Sequence, residues 1–351
     1  MSTRIPVGLV GVTGYTGMEL ARILSGHDSM ELVRVTSRSE AGRKLSDIYP
    51  FLLDMPLGNL EISMPDVDDL AENCKLVFLA VPHKTAMTIG GQLYDKGVKV
   101  VDLSADFRIR DRKTYEQWYK VDHTREDLLE KAVYGLPELY REKIKNADLV
   151  ANPGCYPTSA ILGLHPVLSA GIVETDDIVI DSKSGATGAG RGAKIGSLFC
   201  EVHDSFKAYG LGSHRHTPEI EQELGVAAGK DMTVSFNTHL LPIDRGILST
   251  IYTRLKPGVS PEYIRGLYET AYNKEKWVRV HPAGSLPETR WVRGTMFCDI
   301  GLVVDPRTGR LIIVSAIDNL CRGASGQAVA NANLMLGFDV EKGLELAPLM
   351  P

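Results

Sequence analysis

The first 150 residues alternate short apolar runs with amphipathic segments. The apolar runs are IPVGLVGV, ELVRVTS, KLVFLAVP, VKVVDLS and ADLVANPG, and the segment HKTAMTIGGQLYDKG between two of them has helical spacing. Nearly continuous apolar runs are typical of strands that are buried on both faces and connected by helices. The pattern therefore predicts an α/β, Rossmann-type domain with an open, largely parallel sheet.

The pattern changes after the helix-like stretch ILGLHPVLSAG. The later segments DIVIDSKSG, MTVSFNTHLLPIDRGILSTIYTRLK, TMFCDIGLVVD and RLIIVSAIDNL alternate apolar with polar positions and are separated by turn residues. They predict an α+β domain with a mostly antiparallel sheet and one amphipathic helix, SPEYIRGLYETAYNKE. The tail GASGQAVANANLMLGF is helical in pattern and is expected to pack on the first domain, so we predict domains of 1–153 with 326–351 and of 154–325.

Composition excludes several classes of function. The net charge is -5 without a basic block, which disfavours nucleic-acid binding. No apolar stretch approaches the ~20 residues of a membrane span, and the first residues do not resemble a signal peptide, so a cytoplasmic protein is expected. The five cysteines are odd in number and form no C-x-x-C pair, which argues against a disulfide framework and a zinc knuckle.

A glycine loop follows the first predicted strand. The stretch GVTGYTG has the spacing G-x-x-G-x-x-G, and its residues Gly11, Thr13, Gly14, Tyr15, Thr16 and Gly17 open a predicted helix. Glycines in this position let backbone N–H groups approach a pyrophosphate at the helix N-terminus. The alternative is a glycine turn that only connects the two elements.

The end of the second predicted strand indicates which dinucleotide would bind. An acidic residue at this point accepts hydrogen bonds from the ribose of NAD. This chain has Ser37 and Arg38 there, with Arg43 and Lys44 close behind, and these donors suit a 2′-phosphate. We therefore expect NADP, against the alternative of a solvated surface loop.

One cysteine has the surroundings of a nucleophile. Cys155 follows Gly154 and precedes Pro157, and apolar residues with helical spacing come next, which predicts a helix N-terminus at the cysteine. The free N–H groups and dipole there favour a thiolate and can hold an oxyanion. The remaining cysteines lie in apolar or strand-like runs and are interpreted as buried small hydrophobic residues: Cys74, Cys200, Cys298 and Cys321.

A histidine pair can serve the cysteine. His214 and His216 precede a predicted helix in GSHRHTPEIEQEL, and an extended backbone would point both rings the same way. Two such histidines could also be metal ligands, but no third ligand is evident, so no metal is expected. The isolated histidines His27, His165 and His281 are interpreted as surface or packing residues.

Nine segments, in order, resemble the N-acetyl-gamma-glutamyl-phosphate reductases, the arginine-pathway members of the semialdehyde dehydrogenase superfamily. They are GVTGYTG, FLAVPHKTA, VDLSADFR, YGLPEL, NPGCYPT, SKSGATGAGR, HRHTPEIEQ, VRGTMFCDIG and IDNLCRGASGQAVANANLMLGF. The resemblance implies an NADP-binding domain, an α+β domain with the catalytic residues, and a homodimer or homotetramer.

The resemblance also implies residue roles. Cys155 would attack an acyl phosphate to form a thioester that NADPH reduces to an aldehyde, and His214 or His216 would move the proton, with a slight preference for His214. Further cofactor contacts are implied for Pro82, Ser184, Gly185 and Asn319. Substrate contacts are implied for Ser104, Arg108, Asn152, Arg191 and Lys194.

Several points stay open in the sequence. The glycine-rich segment with Ser184, Arg191 and Lys194 is either an anion site or a hinge. Met296 replaces a polar residue expected in many relatives, and we expect it to alter the surface near the site. The competing functions are a reductase of carrier-protein-linked substrates, aspartate-semialdehyde dehydrogenase, and an NADP-binding regulator without catalysis.

Overall fold

A computed structural model describes residues 4–350. The chain divides into two compact units. The first comprises residues 4–153 together with 324–345, and the second comprises 154–323 together with 346–350.

The first unit is built on a seven-stranded sheet in which every recorded strand pair is parallel. The strand order is β3-β2-β1-β4-β5-β7-β6. The strands are β1 Ile5–Val10, β2 Met30–Thr36, β3 Ile62–Ser63, β4 Leu76–Leu79, β5 Lys99–Asp102, β6 Val133–Tyr134 and β7 Leu149–Ala151. Strand β4 is buried at every position, because a parallel sheet is covered on both faces. The predicted α/β fold is confirmed.

Helices connect these strands and cover the sheet. They are α1 Tyr15–Ser25, α2 Leu45–Ile48, α3 Val67–Asn73, α4 Thr85–Asp95, α5 Arg112–Tyr119, α6 Pro137–Lys145 and, from the end of the chain, α11 Gly326–Met335. Helix α11 contacts α6 and β5 and is buried at every position. The order β1-α1-β2 presents the glycine loop at the carboxyl end of β1, which is where a doubly wound sheet binds its ligands.

The second unit has a seven-stranded mixed sheet in the order β12-β13-β14-β11-β8-β10-β9. The strands are β8 Val179–Ser184, β9 Lys207–Tyr209, β10 Ser235–Leu240, β11 Ile247–Arg254, β12 Val278–Val280, β13 Cys298–Asp305 and β14 Arg310–Ile317. Two of its strand pairs, β8 with β10 and β12 with β13, are parallel and the others are antiparallel. The prediction of a mostly antiparallel sheet is thus confirmed.

The helices of the second unit are α7 Cys155–Ser169, α8 Phe199–Val202, α9 Thr217–Ala228 and α10 Pro261–Tyr272. Helix α7 packs against β11, β14 and α9 and is buried over most of its circumference, as its apolar sequence requires. In the contact with the sheet, the Ser159 hydroxyl donates to the Ser249 hydroxyl of β11 at 2.9 Å. The alternating residues of β11 on that side therefore face helix α7.

Three expectations from the sequence are wrong. The end of the chain joins the second unit, not the first, because the Leu349 N–H donates to the Arg293 carbonyl at 3.0 Å. Met296 is fully buried, so it contributes to packing and not to a contact surface. Cys200 is exposed, because the short helix α8 that carries it buries only Val202.

Within residues 4–350, no helix combines the length and the apolar character needed to cross a membrane.

Candidate active site

The glycine loop of the first unit turns tightly between β1 and α1. Gly11 has φ +91°, and a side chain there would overlap the Ala80 carbonyl oxygen. A side chain at Gly17 would lie 2.7 Å from the Val12 Cα atom. At Gly14, by contrast, nothing lies within 4 Å of an added Cβ atom. Gly11 and Gly17 are therefore required by the chain itself, whereas Gly14 leaves open space at the helix N-terminus.

The first turn of α1 is available to an anion. Gly14 is the N-cap residue and has no side chain to bond the first N–H groups of the helix. The residues that the sequence assigned to this loop, Thr13, Tyr15 and Thr16, are half-buried. The loop thus fits the pyrophosphate of a dinucleotide, both by its open side and by its unbonded N–H groups.

The end of β2 lies beside this loop. The Thr13 and Ser37 hydroxyl oxygens are 3.3 Å apart, and Ser37 is 3.3 Å from the Ser39 hydroxyl oxygen. Arg38 is exposed, and among the described residues it has no hydrogen bond or ion pair. Arg43 differs, because it pairs with Glu40 at 2.8 Å. Arg38 is therefore a cation at the end of β2 whose charge is not neutralised within the described part of the chain.

In the second unit, helix α7 begins at Cys155, as the sequence predicted. Gly154 is the N-cap residue with an extended backbone, φ -68° and ψ 156°. Cys155 is half-buried, and its neighbour Gly323 is so close that an added Cβ atom would lie 2.6 Å from the Cys155 Cβ atom. The cysteine therefore has a fixed place at a helix N-terminus.

Aromatic rings surround this helix start. The Tyr156 and Tyr209 hydroxyl oxygens are 2.6 Å apart. The Tyr156 ring contacts His214 at 5.4 Å and His216 at 6.0 Å between centroids. Phe236 contacts both Tyr156 and His214. Both histidines predicted to act with Cys155 therefore contact Tyr156, the residue that follows Cys155 in the chain.

The histidine pair lies in a turn, so the expectation of an extended segment is wrong. The rings nevertheless contact each other at 4.9 Å, because the His216 N–H folds back and donates to the His214 Nδ1 atom at 3.1 Å. Within residues 4–350, no group of three or more His, Cys, Asp or Glu side chains is arranged to hold a metal ion.

The protonation of the cluster follows from its burial. Burial, and secondly the charge of Arg215, lowers the pKa of His214 to about 4. His214 is therefore neutral at pH 7, and its Nδ1 atom accepts a hydrogen bond, so its ring proton is on Nε2. Burial raises the pKa of Tyr209, and a negative charge on the Cys155 sulfur would raise it further.

Asn319, which follows the end of β14, connects two loops of the second unit by hydrogen bonds. The Asn319 Oδ1 atom accepts the Gly246 N–H at 2.7 Å, and its Nδ2 atom donates to the Thr187 hydroxyl at 3.0 Å. One Nδ2 hydrogen is left by these two bonds. Ser184 is buried and donates to the carbonyl of Gly185 at 3.0 Å.

Three of the residues with an implied substrate role form a network in the first unit. Asn152 receives the Arg108 Nε–H at its carbonyl oxygen, 2.7 Å, and donates from Nδ2 to the Ala324 carbonyl, 3.1 Å. Its Oδ1 atom accepts from Asn331 at 3.0 Å. Ser104 is buried and donates to Asp102 at 2.9 Å. These contacts position the segment that leads out of β7.

The remaining residues with implied roles are more accessible. Arg191 and Lys194 are exposed in the segment that follows β8, and Pro82 is exposed before α4. No sequence motif pointed to Tyr209 or Phe236, which contact Tyr156 in the structure. Only Tyr156 carried a local signal, since it directly follows the cysteine.

Both units of the chain match known protein families. The model for the NAD binding domain of semialdehyde dehydrogenase matches residues 6–147, and the model for the dimerisation domain of semialdehyde dehydrogenase matches residues 155–319. The chain is 54% identical over 348 residues to an N-acetyl-gamma-glutamyl-phosphate reductase from Desulfotalea psychrophila, covering 99% of this chain and 100% of the relative. The chain belongs to the N-acetyl-gamma-glutamyl-phosphate reductase family.

Other members and structures extend the comparison. A family member from Pelotomaculum thermopropionicum is 53% identical, with 99% of each chain covered. Among solved structures, aspartate semialdehyde dehydrogenase with NADP from Candida albicans has a TM-score of 0.72 at 16% identity, covering 95% of this chain and 99% of that one. Aspartate semialdehyde dehydrogenase II from Vibrio cholerae, complexed with ASA, has a TM-score of 0.71 at 14% identity, covering 96% and 99%. At these identities the structures show the fold, which this reductase family therefore shares with them.

Proposed function

We propose that the protein reduces N-acetyl-gamma-glutamyl phosphate to N-acetylglutamate semialdehyde and phosphate, with NADPH as reductant, in arginine biosynthesis. The observation that carries this proposal is the half-buried Cys155 at the start of α7, next to a tyrosine whose ring contacts both His214 and His216. The names of the closely similar relatives support the choice of substrate.

The chemistry starts at the sulfur. The N–H groups at the start of α7 stabilise the Cys155 thiolate and the oxyanion that forms on the attacked carbonyl. A C–S bond forms, the bond from the acyl carbon to phosphate breaks, and phosphate leaves with the electron pair, which gives a thioester on Cys155. NADPH, when bound, supplies the hydride that reduces this carbon. Release of the Cys155 thiolate then yields the aldehyde.

One of the two histidines moves the proton that balances the reaction, with His214 as the first candidate. Its neutral ring carries the proton on Nε2, where it can donate a hydrogen bond to a developing oxyanion or to the departing phosphate. His216 stays the second candidate, since its ring contacts both His214 and Tyr156.

We propose NADP as the cofactor, bound by the glycine loop and by the end of β2. Arg38 is an exposed cation without an ion pair among the described residues, and it would bind the 2′-phosphate together with Ser37. Pro82 would border this site. In the second unit, the free Nδ2 hydrogen of Asn319 would bind the nicotinamide amide, near Ser184 and Gly185.

The substrate contacts are proposed in two groups. The first group is Ser104, Arg108 and Asn152, which are buried and hydrogen-bonded to other residues of the chain. They would therefore act mainly by shaping the site. Arg191 and Lys194 are exposed, and their charges would attract the phosphate.

A homodimer or homotetramer is proposed to form through the second unit. The side chains of β11 that face away from α7 include Leu248 and Tyr252, and the neighbouring strand β14 presents Ile312 on that side. Apolar side chains on the outer face of a sheet suit a subunit contact. Sedimentation analysis distinguishes these assemblies from a monomer. All five cysteines lie in the described part of the chain and none forms a disulfide, which supports a proposed location in the reducing cytoplasm.

The test is the reverse reaction, phosphate-dependent reduction of NADP with N-acetylglutamate semialdehyde. Aspartate semialdehyde and the aminoadipate and carrier-linked analogues are assayed separately as alternative substrates. We expect kcat/KM for the acetylglutamate compound to exceed the others by at least about 100-fold, since a polar site strongly rejects analogues that leave its groups unpaired. If another semialdehyde is turned over equally well or better, that compound is the substrate and the proposal is wrong. If the protein binds NADP but turns over none of these compounds, it is a regulator and not a reductase.

A further inference from the structure

The N–H of Gly154, directly before the cysteine, has an unusual partner. It donates to the Glu219 Oε1 atom at 2.8 Å, and both residues are buried. In a capping box, the N–H of an N-cap residue is bonded by an acidic side chain three residues later in the same helix. The third residue of α7 is Pro157, whose side chain has no hydrogen-bond acceptor. Glu219 therefore supplies from α9 what α7 lacks.

Glu219 is also the third residue of its own helix. Its expected partner within α9 is the N–H of the N-cap residue His216, but that N–H donates to the His214 Nδ1 atom. The N–H group that a capping box would use is thus bonded within the histidine pair, and the Glu219 carboxylate accepts from Gly154 of the other helix. The N-terminus of α9 stabilises a negative charge at this position.

We propose that Glu219 is a positioning residue that holds Cys155 beside the His214 and His216 pair by capping helix α7 from the start of helix α9. The Glu219 carboxylate connects the start of α7, which carries the Cys155 sulfur, to the start of α9, which the two histidines precede. Without it, a buried N–H donor at Gly154 has no partner, and the first turn of α7 loosens. This inference rests on the proposed role of Cys155 as nucleophile.

Two substitutions separate the acceptor from the charge. Glu219→Gln removes the charge and keeps an oxygen that accepts the Gly154 N–H, whereas Glu219→Met has similar length and no comparable acceptor. The matched control is Glu223→Met, one turn further along α9, where the carboxylate is equally buried and accepts from Gln222. All variants carry Cys200→Ser, so that this exposed thiol does not react.

The measurement is the alkylation rate of Cys155 by iodoacetamide against pH, located by peptide mass, together with kcat, KM and NADPH affinity. We expect Glu219→Met to move the alkylation midpoint upward by about one pH unit, because the loosened turn stabilises the thiolate less. Its kcat should fall about 100-fold, as expected for a displaced nucleophile, while NADPH affinity stays unchanged. Glu219→Gln and Glu223→Met should stay within about threefold of the parent in both rates.

Three results would overturn the proposal: a normal midpoint and kcat in Glu219→Met, an equal defect in Glu219→Gln, or an equal defect in Glu223→Met. If Glu219→Met does not fold, Glu219→Asp replaces it. The shorter side chain withdraws the acceptor, so the midpoint should again rise, and a normal midpoint would refute the cap. Alkylation needs no substrate. The predicted midpoints in a protein that does not reduce the acyl phosphate would therefore reject the proposed function and leave the positioning role standing.

Discussion

The contact of Gly323 with Cys155 allows the position of the nucleophile to be tested by one added methyl group. In Gly323→Ala the new Cβ atom would lie 2.6 Å from the Cys155 Cβ atom and 3.0 Å from its Cα atom. An ordinary contact begins at 3.4 Å, so the two groups must separate by about 0.8 Å. The Gly323 N–H is bonded to the Asp318 carbonyl at 2.9 Å, which restrains the glycine, so part of the displacement falls on the cysteine.

This displacement has two measurable consequences. Overpacking of this kind costs roughly 1–3 kcal/mol of unfolding free energy. A shift of about 1 Å at a reacting group lowers the rate by about 100-fold, so we expect kcat to fall between about 10- and 100-fold. Urea denaturation gives the first quantity, and steady-state kinetics with single-turnover thioester formation gives the second.

The matched control is Gly266→Ala. Gly266 is inside helix α10, and nothing lies within 4 Å of the added Cβ atom. Alanine there should stabilise the protein by about 0.5–1 kcal/mol and leave kcat unchanged. If Gly323→Ala behaves like Gly266→Ala in both assays, the close approach of residue 323 to the nucleophile does not exist in solution.

Three further predictions concern the cysteine, the cofactor and pH. Cys155→Ser should abolish reduction while the Kd for NADPH, measured by fluorescence titration, stays within about twofold; a variant that still forms aldehyde would exclude Cys155 as nucleophile. Arg38→Asp should lower the preference for NADP over NAD by at least about 100-fold in kcat/KM, and unchanged selectivity would reject the 2′-phosphate role. Because burial holds the pKa of His214 at about 4, below its unfolded value of about 6.5, the unfolded chain binds more protons between these values. The free energy of unfolding should therefore be fully retained above pH 6.5 and fall by up to about 3 kcal/mol towards pH 4. His214→Asn should lose this part of the pH dependence in denaturation curves, and an unaltered dependence would contradict the depressed pKa.

The sequence by itself determined the features that depend on local pattern. Continuous apolar runs predicted the parallel sheet, because such strands are buried on both faces, and alternating runs predicted the second, mostly antiparallel sheet. The start of α7 at Cys155 was also local, since Gly154 and Pro157 define a helix N-terminus within a few residues.

Only the tertiary structure decided which residues meet at that helix start. Tyr209 lies 53 positions from Tyr156 along the chain, and Glu219 lies 65 positions from Gly154, yet each pair is hydrogen-bonded. Hydrophobic pattern states that a side chain is buried but not which partner it meets, because the partner depends on how strands and helices pack. For the same reason the sequence pattern wrongly predicted that Cys200 is buried. In the structure it is exposed on the short helix α8, which buries only Val202.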